Sequence, residues 1–387
     1  MKRVYLDHNA TTQPHPDAVK AMLPFYEAYF GNASSVHQFG REAKNAVEQA
    51  RNSVASLIGA KRPDDIIFTS GGTESNNFAV KGVAYALKEK GDHIITSTIE
   101  HLAVEGPCKF LEKNGYRVTY LPVDQYGIVD LEALKRSLTD KTILVTIMYA
   151  NNEVGTIEPV KDIVRIAKER GVMVHTDAVQ AVSKVPLDVD DLGVDLLSLS
   201  GHKFYGPKGV GALFIRKGTK ISPVQHGGHH EKNRRAGTEN VPGLVGMGVA
   251  AEIAKREIAS EPKRLSGLRD RLQQGIEKAI KHVKLNGHPV LRLPNTCNMS
   301  FEYLEGESIV LNLDMEGIAV STGSACTSGS LEPSHVLLAM GVSAQTAQGS
   351  IRFSLGRINT AGEIDYALEK LPPIIERLRK MSPLYIE

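Results

Sequence analysis

The chain has 387 residues, a net charge of +2 and 42% apolar residues. That balance suits a soluble globular protein of about two to three domain-sized units and gives no reason to expect nucleic acid or an anionic membrane as partner. The longest apolar run, near Ile143–Ala150, falls far short of the ~18 residues that suggest a membrane span. Asp7 interrupts the N-terminus before a signal-peptide core can form. Three scattered cysteines, Cys108, Cys297 and Cys326, contain no CxxC, which argues against a disulfide framework or a structural zinc site and for a reducing, cytoplasmic setting.

Short β-branched runs predict strands at Ile66–Thr69, Ile94–Thr98, Val118–Leu121, Ile143–Met148, Val172–Thr176, Leu196–Leu199 and Ala212–Ile215. Helical patterns fill most gaps, as at Asn76–Lys90 and Val160–Arg170. Strands that are apolar on both faces suit a mostly parallel sheet covered by helices. The turn Gly201–Gly211 is too short for a helical crossover, so the last two strands are expected to be antiparallel. Beyond it, Leu265, Leu268, Leu272, Ile276, Ile280 and Val283 recur at helical spacing after Pro262. Strand-like runs follow at Asn298–Phe301 and Ser350–Ser354. The expected architecture is α/β: a large domain over 14–255 with a mixed seven-stranded sheet, and a smaller α+β domain made of 1–13 and 256–387.

Three motifs carry chemistry. In Ile66–Asn77 a strand ends, two glycines turn the chain and a helix begins. Gly71, Gly72 and Thr73 would form an anion cup there, unless this is an ordinary strand–helix turn. Asp177 ends the apolar strand of Val172–Gln180, where open α/β sheets place ligand-binding residues; a plain helix cap is the other reading. A third strand delivers Ser200, His202 and Lys203 together. A lysine at a strand end in a low-dielectric cleft can form a Schiff base, although most single lysines are simply solvated. A phosphate cup, a carboxylate and an amine are together what pyridoxal phosphate requires. His101 would stack on its ring, or else merely start a helix.

The motifs Tyr5–Thr12, Gly31–His37, Gly72–Asn77, Asn151–Thr156, His175–Gln180, Ser200–Gly211, Arg235–Pro242 and Ser350–Gly356 run nearly the length of the chain. With the Ser-Ala-Cys run at Cys326, they make the chain resemble the NifS/IscS-type cysteine desulfurases, fold-type I pyridoxal phosphate enzymes of the class-V aminotransferase family. The resemblance implies that Gly72, Thr73, Ser200 and His202 contact the cofactor phosphate, and that Thr238 reaches the site of a neighbouring subunit in a homodimer. It implies that Asp177 and Gln180 bind the ring, that His101 stacks on it, and that Asn152 and Arg352 hold the substrate carboxylate. Arg352 lies inside the apolar run Ile351–Phe353 and needs an anion on its own account, whether a substrate or an internal carboxylate.

The implied catalytic residues are Lys203, His101 and Cys326. L-cysteine would yield L-alanine, and Cys326 would carry the sulfur as a persulfide to an iron–sulfur scaffold or another acceptor protein. Cys326 could then transiently contact a partner's iron–sulfur cluster; no resident metal is expected. No side chain from Ser321 to Ser330 is larger than threonine, as a reactive thiol on a travelling loop requires. With Leu331–Ser334 following, the chain resembles the class with the longer mobile cysteine loop. Cys108 and Cys297 read as packing residues. One segment departs from the family: His226-Gly-Gly-His-His-Glu-Lys232. His226, His229 and His230 could suggest a metal, but local drift is the favoured reading. An aminotransferase or lyase without sulfur transfer, and a non-catalytic iron–sulfur carrier, are the rival readings.

Overall fold

The structure, a computed structural model, describes residues 2–322 and 332–385. Its largest sheet contains β2 (Ile66–Thr69), β3 (His93–Ser97), β4 (Arg117–Leu121), β5 (Thr142–Thr146), β6 (Met173–Asp177), β7 (Leu196–Ser200) and β8 (Gly211–Ile215). The spatial order is β2-β8-β7-β6-β5-β3-β4. Pairing is parallel except around β8, which is antiparallel to both β7 and β2. The short turn before β8 foreshadows the first of these pairings; the second follows because β8 inserts between β7 and β2.

Period-two alternation places this sheet between two cores. Ile66 and Phe68 of β2, Leu197 and Leu199 of β7, and Ala212 and Phe214 of β8 face one side. Ile67, Leu196, Leu213 and Ile215 face the other. The helices Gln38–Leu57, Val160–Lys168 and Val241–Glu257 cover the first face with Val47, Ile163 and Met247. The helices Gly72–Ala86 and Leu102–Glu112 cover the second with Phe78, Val83 and Val104. Both faces are therefore dry, which explains why the strands read as unbroken apolar runs.

A separate core lies on a four-stranded antiparallel sheet of β9 (Val283–Asn286), β10 (Thr296–Phe301), β12 (Ser321–Thr322) and β13 (Ser350–Ser354). Cys297 pairs with Phe353 and Met299 with Ile351 across it. The helices Glu261–Ala279, Gly306–Met315 and Ala361–Met381 pack on this sheet. The N-terminal strand β1 (Val4–Tyr5) pairs in parallel with β11 (Ile318–Ala319) and adds Val4 and Leu6 to the core.

Most sequence-based boundaries shift by one or two residues, and two shift further. The helix expected to run through Val283 ends at Ala279, because Ile280 is already extended (φ −127°, ψ 123°) and His282 turns the chain at φ 52°. Val283 instead starts β9. The helix expected from Asn76 begins four residues earlier, at Gly72, and ends at Ala86. No helix among the described residues is long and apolar enough to cross a membrane.

Candidate active site

Asp177 is the last residue of β6 and Ser200 the last of β7. These strand ends open into a cavity of about 310 Å³, the place where open α/β sheets bind ligands. Gly72, Thr73, His101, Asn152, Asp177, Gln180, Ser200, His202, Lys203 and Arg352 all line it. Ten of the thirteen residues expected from the sequence thus meet in one place, and Gly71, beside Gly72, is not among the lining residues. Thr238 is exposed and lies outside the cavity lining of its own chain. Cys326 lies outside the described residues.

One end of the cavity is the start of the helix Gly72–Ala86, where no side chain caps the N-terminus. Its first N–H groups have no helical carbonyl to bond, so they present a ready anion cradle. Gly72 is required there: a Cβ would sit 2.8 Å from Val179 Cγ2. Ser200 and His202 complete this end. Burial, reinforced by Lys203 and Lys208, pushes His202 down to about 4, so its ring is neutral near pH 7; Nδ1 lies 3.1 Å from Thr11 Oγ1.

Asp177 is 7% exposed. Its Oδ2 accepts from Asn76 Nδ2 at 2.6 Å and its Oδ1 from the Val179 N–H at 2.9 Å. These bonds fix the carboxylate at the cavity wall, and the Asp177–Asn76 contact is absent from the sequence reading. His101 starts a helix, as one reading had it, and also lines the cavity. It caps the helix Leu102–Glu112, with Nδ1 accepting from the Ala103 N–H at 3.1 Å. A neutral His101 bonded in this way carries its proton on Nε2. Burial holds the ring below the ordinary imidazole range, a shift that Asp177 opposes and Lys203 reinforces. The preceding Glu100 is buried, and burial pushes its carboxyl up to about 8. Its Oε1 accepts from Ser97 Oγ and the Met148 N–H, while Oε2 has no partner.

Lys203 Nζ donates to the backbone carbonyls of Asn9 and Ala10. Both residues line the cavity, and sequence reasoning assigned neither a role. Asn9 is 1% exposed and ties the N-terminal segment to three others. Its Nδ2 donates to Thr296 Oγ1 and the Asn152 carbonyl, and its Oδ1 accepts from Asn295 Nδ2. The signal available in the sequence was a fully polar Asp7-His-Asn9 step directly after the apolar β1.

Arg352 lies on β13 and is 3% exposed. The internal carboxylate is present. Nη2 pairs with Asp7 Oδ1 at 2.9 Å and Nη1 donates to the Asn152 carbonyl at 3.1 Å. Nε is buried without a partner, and the residue lines the cavity.

The other sequence candidates fall elsewhere. Cys108 and Cys297 are fully buried. Burial raises both thiols, Cys297 to about 12, which suits packing residues rather than nucleophiles. The histidine-rich segment is held by local bonds. His229 Nδ1 meets Asn233 Oδ1 at 2.6 Å, and His230 Nδ1 accepts from the Gly237 N–H at 3.2 Å. Among the described residues no group of three or more His, Cys, Asp or Glu side chains could hold a metal ion. The segment's anchor is Glu231, whose buried carboxylate takes Arg51 in a two-pronged bond at 2.7 and 2.8 Å.

Comparison with known proteins agrees with this geometry. Residues 4–367 match the family described as Aminotransferase class-V. The chain is 59% identical over 384 residues to a cysteine desulfurase IscS of Dictyoglomus turgidum, covering 99% of this chain and 97% of the relative. It is 55% identical to that of Methanosarcina thermophila, covering 99% and 94%. Among solved structures it superposes on a NifS-like protein with a TM-score of 0.92 at 43% identity, covering 97% of this chain and all of the other. A structure described as SspA in complex with cysteine aligns with a TM-score of 0.81 at 37% identity, covering 91% and 98%. The chain belongs to the class-V aminotransferase family and closely matches its IscS- and NifS-like cysteine desulfurases.

Proposed function

We propose that the chain is a pyridoxal phosphate-dependent cysteine desulfurase. The observation that carries this reading is the cavity itself, which gathers an uncapped helix start, a fixed carboxylate and a lysine amine at the ends of adjacent strands. These donors fit the cofactor group by group. Gly72, Thr73, Ser200 and His202 would hold its phosphate, Asp177 and Gln180 its ring, and Lys203 its aldehyde carbon. When bound, the cofactor supplies an aldehyde for amines and a protonated ring that withdraws electrons from the substrate α-carbon.

The chain's own residues do the rest. Arg352 and Asn152 bind the carboxylate of L-cysteine. Lys203, once freed by the substrate amine, moves the α-proton. His101, protonated on Nε2 when neutral, can supply a proton near the substrate sulfur. The Cys326 thiolate takes the sulfur as its bond to carbon breaks with the electron pair staying on carbon, and that carbon is then protonated. The balance is one L-cysteine and one thiol giving one L-alanine and one persulfide. An iron–sulfur scaffold or another acceptor protein would receive the sulfur.

The partner of first rank is a second copy. Tyr26, Phe30, Val36 and Phe39 are 63%, 70%, 89% and 51% exposed within one short stretch, an apolar surface a neighbouring subunit would cover. Thr238, exposed on its own chain, would reach that neighbour's phosphate site. The cores flanking the seven-stranded sheet and the separate core on the four-stranded sheet support reading 14–255 as one domain and 1–13 with 256–387 as the other.

The test is borohydride reduction of the reconstituted protein followed by peptide mapping. The cofactor should be trapped on Lys203, and Lys203→Ala should bind it without trapping. Trapping on another lysine in the wild-type protein would refute the assignment.

A further inference from the structure

Lys184 is 6% exposed, one of the most deeply placed cations in the chain, and it sits four residues after Gln180. Among the described residues it has no carboxylate within ion-pair distance. Its Nζ donates to Gln180 Oε1 at 2.7 Å and to Asn9 Oδ1 at 3.4 Å. Gln180 in turn donates from Nε2 to the Asn9 carbonyl at 2.9 Å, the same carbonyl that receives Lys203. Lys184 does not line the cavity, whereas Gln180 and Asn9 do.

We propose that Lys184 is a positioning residue that fixes which end of the Gln180 amide faces the cavity. A side-chain amide has an accepting and a donating end that are nearly the same shape, so only its partners decide between them. Lys184 offers N–H groups and claims the Gln180 oxygen. The Asn9 carbonyl offers only lone pairs and claims one N–H of the Gln180 nitrogen. The second N–H is then left for an acceptor bound in the cavity. Reversing the amide would set oxygen against the Asn9 carbonyl and nitrogen against the Lys184 donor.

The bonding also suits an uncharged amine. A neutral lysine has two N–H groups, and two acceptors are in place. Burial first, then Lys203 and Arg352, holds Lys184 well below its ordinary range. His8 and His202 also lie within electrostatic reach of it, and both are pushed down to about 4, chiefly by burial. A lysine held below its ordinary range in this way still supplies the donor that the Gln180 oxygen receives.

This inference rests on the proposed contact between Gln180 and bound pyridoxal phosphate. The test is a double-mutant cycle of Lys184→Met and Gln180→Ala, read by titrating the apoprotein with pyridoxal phosphate and recording its visible band. Lys184→Met removes a buried donor at nearly constant length, and loss of one such bond corresponds to about a tenfold weaker affinity. The expected result is that loss together with a displaced band in Lys184→Met. In the Gln180→Ala background the same change should alter affinity by no more than about twofold. A Lys184→Met protein with wild-type affinity and band, or losses that multiply in the double variant, would overturn the proposal. If Gln180→Ala alone leaves affinity and band unchanged, the contact of Gln180 with the cofactor falls, and this inference with it. Should Lys184→Met not fold, the cycle is carried by Lys184→Leu, which also removes the donor, with the same outcomes.

Discussion

Glu231 offers a quantitative test of how the segment before Thr238 is held. Its carboxylate receives both prongs of the Arg51 guanidinium and also the Phe68 N–H at 2.8 Å. The two side chains are 3% and 4% exposed, and the guanidinium lies 4.6 Å from the centre of the Phe68 ring. Glu231, Lys232 and Asn233 follow one another at φ 45°, 58° and 66°, a conformation costly for residues with a side chain and sustained only by surrounding contacts. Glu231→Ala removes the two-pronged partner of a buried cation beside β2 and leaves its Nε only the half-exposed Glu48, at 3.1 Å. Breaking such a pair costs about 3–5 kcal/mol, a large share of the ~5–15 kcal/mol that stabilises a typical domain. Urea unfolding of the apoprotein, followed by circular dichroism, should show that loss. The double variant Arg51→Met with Glu231→Leu should recover most of it, because no unpaired charge stays buried. A loss below about 1 kcal/mol in Glu231→Ala, or a double variant no better than the single one, would refute the reasoning.

Two further outcomes follow from the site. Arg352→Lys cannot serve Asp7, the Asn152 carbonyl and a bound carboxylate together, so kcat/KM for L-cysteine should fall roughly 10- to 100-fold, with the loss mainly in KM; an unchanged KM in steady-state kinetics would place the substrate carboxylate elsewhere. Glu100, raised to about 8 in the fold against ~4.3 when unfolded, contributes stability that is present below pH ~4.3 and is lost as pH rises through about 8. Glu100→Gln removes that dependence. Its destabilisation relative to wild type, measured by denaturant melts from pH 5 to 9, should therefore shrink as pH rises, and a constant difference would contradict the buried, protonated state.

The sequence carries the large sheet well because both of its faces are dry, and dry strands read as apolar runs whatever their neighbours. Lys203, Asp177 and Gly72 are legible for a related reason: each sits at the end of such a run, where the chain leaves the sheet. Contacts between distant segments are less visible. Asn9 is an ordinary polar residue until the fold brings Lys203, Gln180, Asn152 and Thr296 around it. Val283 continues a helical pattern in sequence, yet the turn at His282 sends it into a strand. Arg352 shows the limit of either–or reasoning, since it pairs with Asp7 and also lines the cavity. The three histidines at 226–230 drew attention by composition, whereas Glu231, one residue on, is the buried anchor.

The central claim is that sulfur from L-cysteine reaches Cys326 through the Lys203 site. Its most direct test is mass spectrometry of the reconstituted protein after a single addition of L-cysteine, with peptide mapping and alanine quantified in parallel. The proposed reaction predicts one added sulfur on the Cys326 peptide, matched by L-alanine, and neither product in Lys203→Ala. Sulfur on Cys108 or Cys297, or alanine formed at full rate by Cys326→Ala, would contradict it.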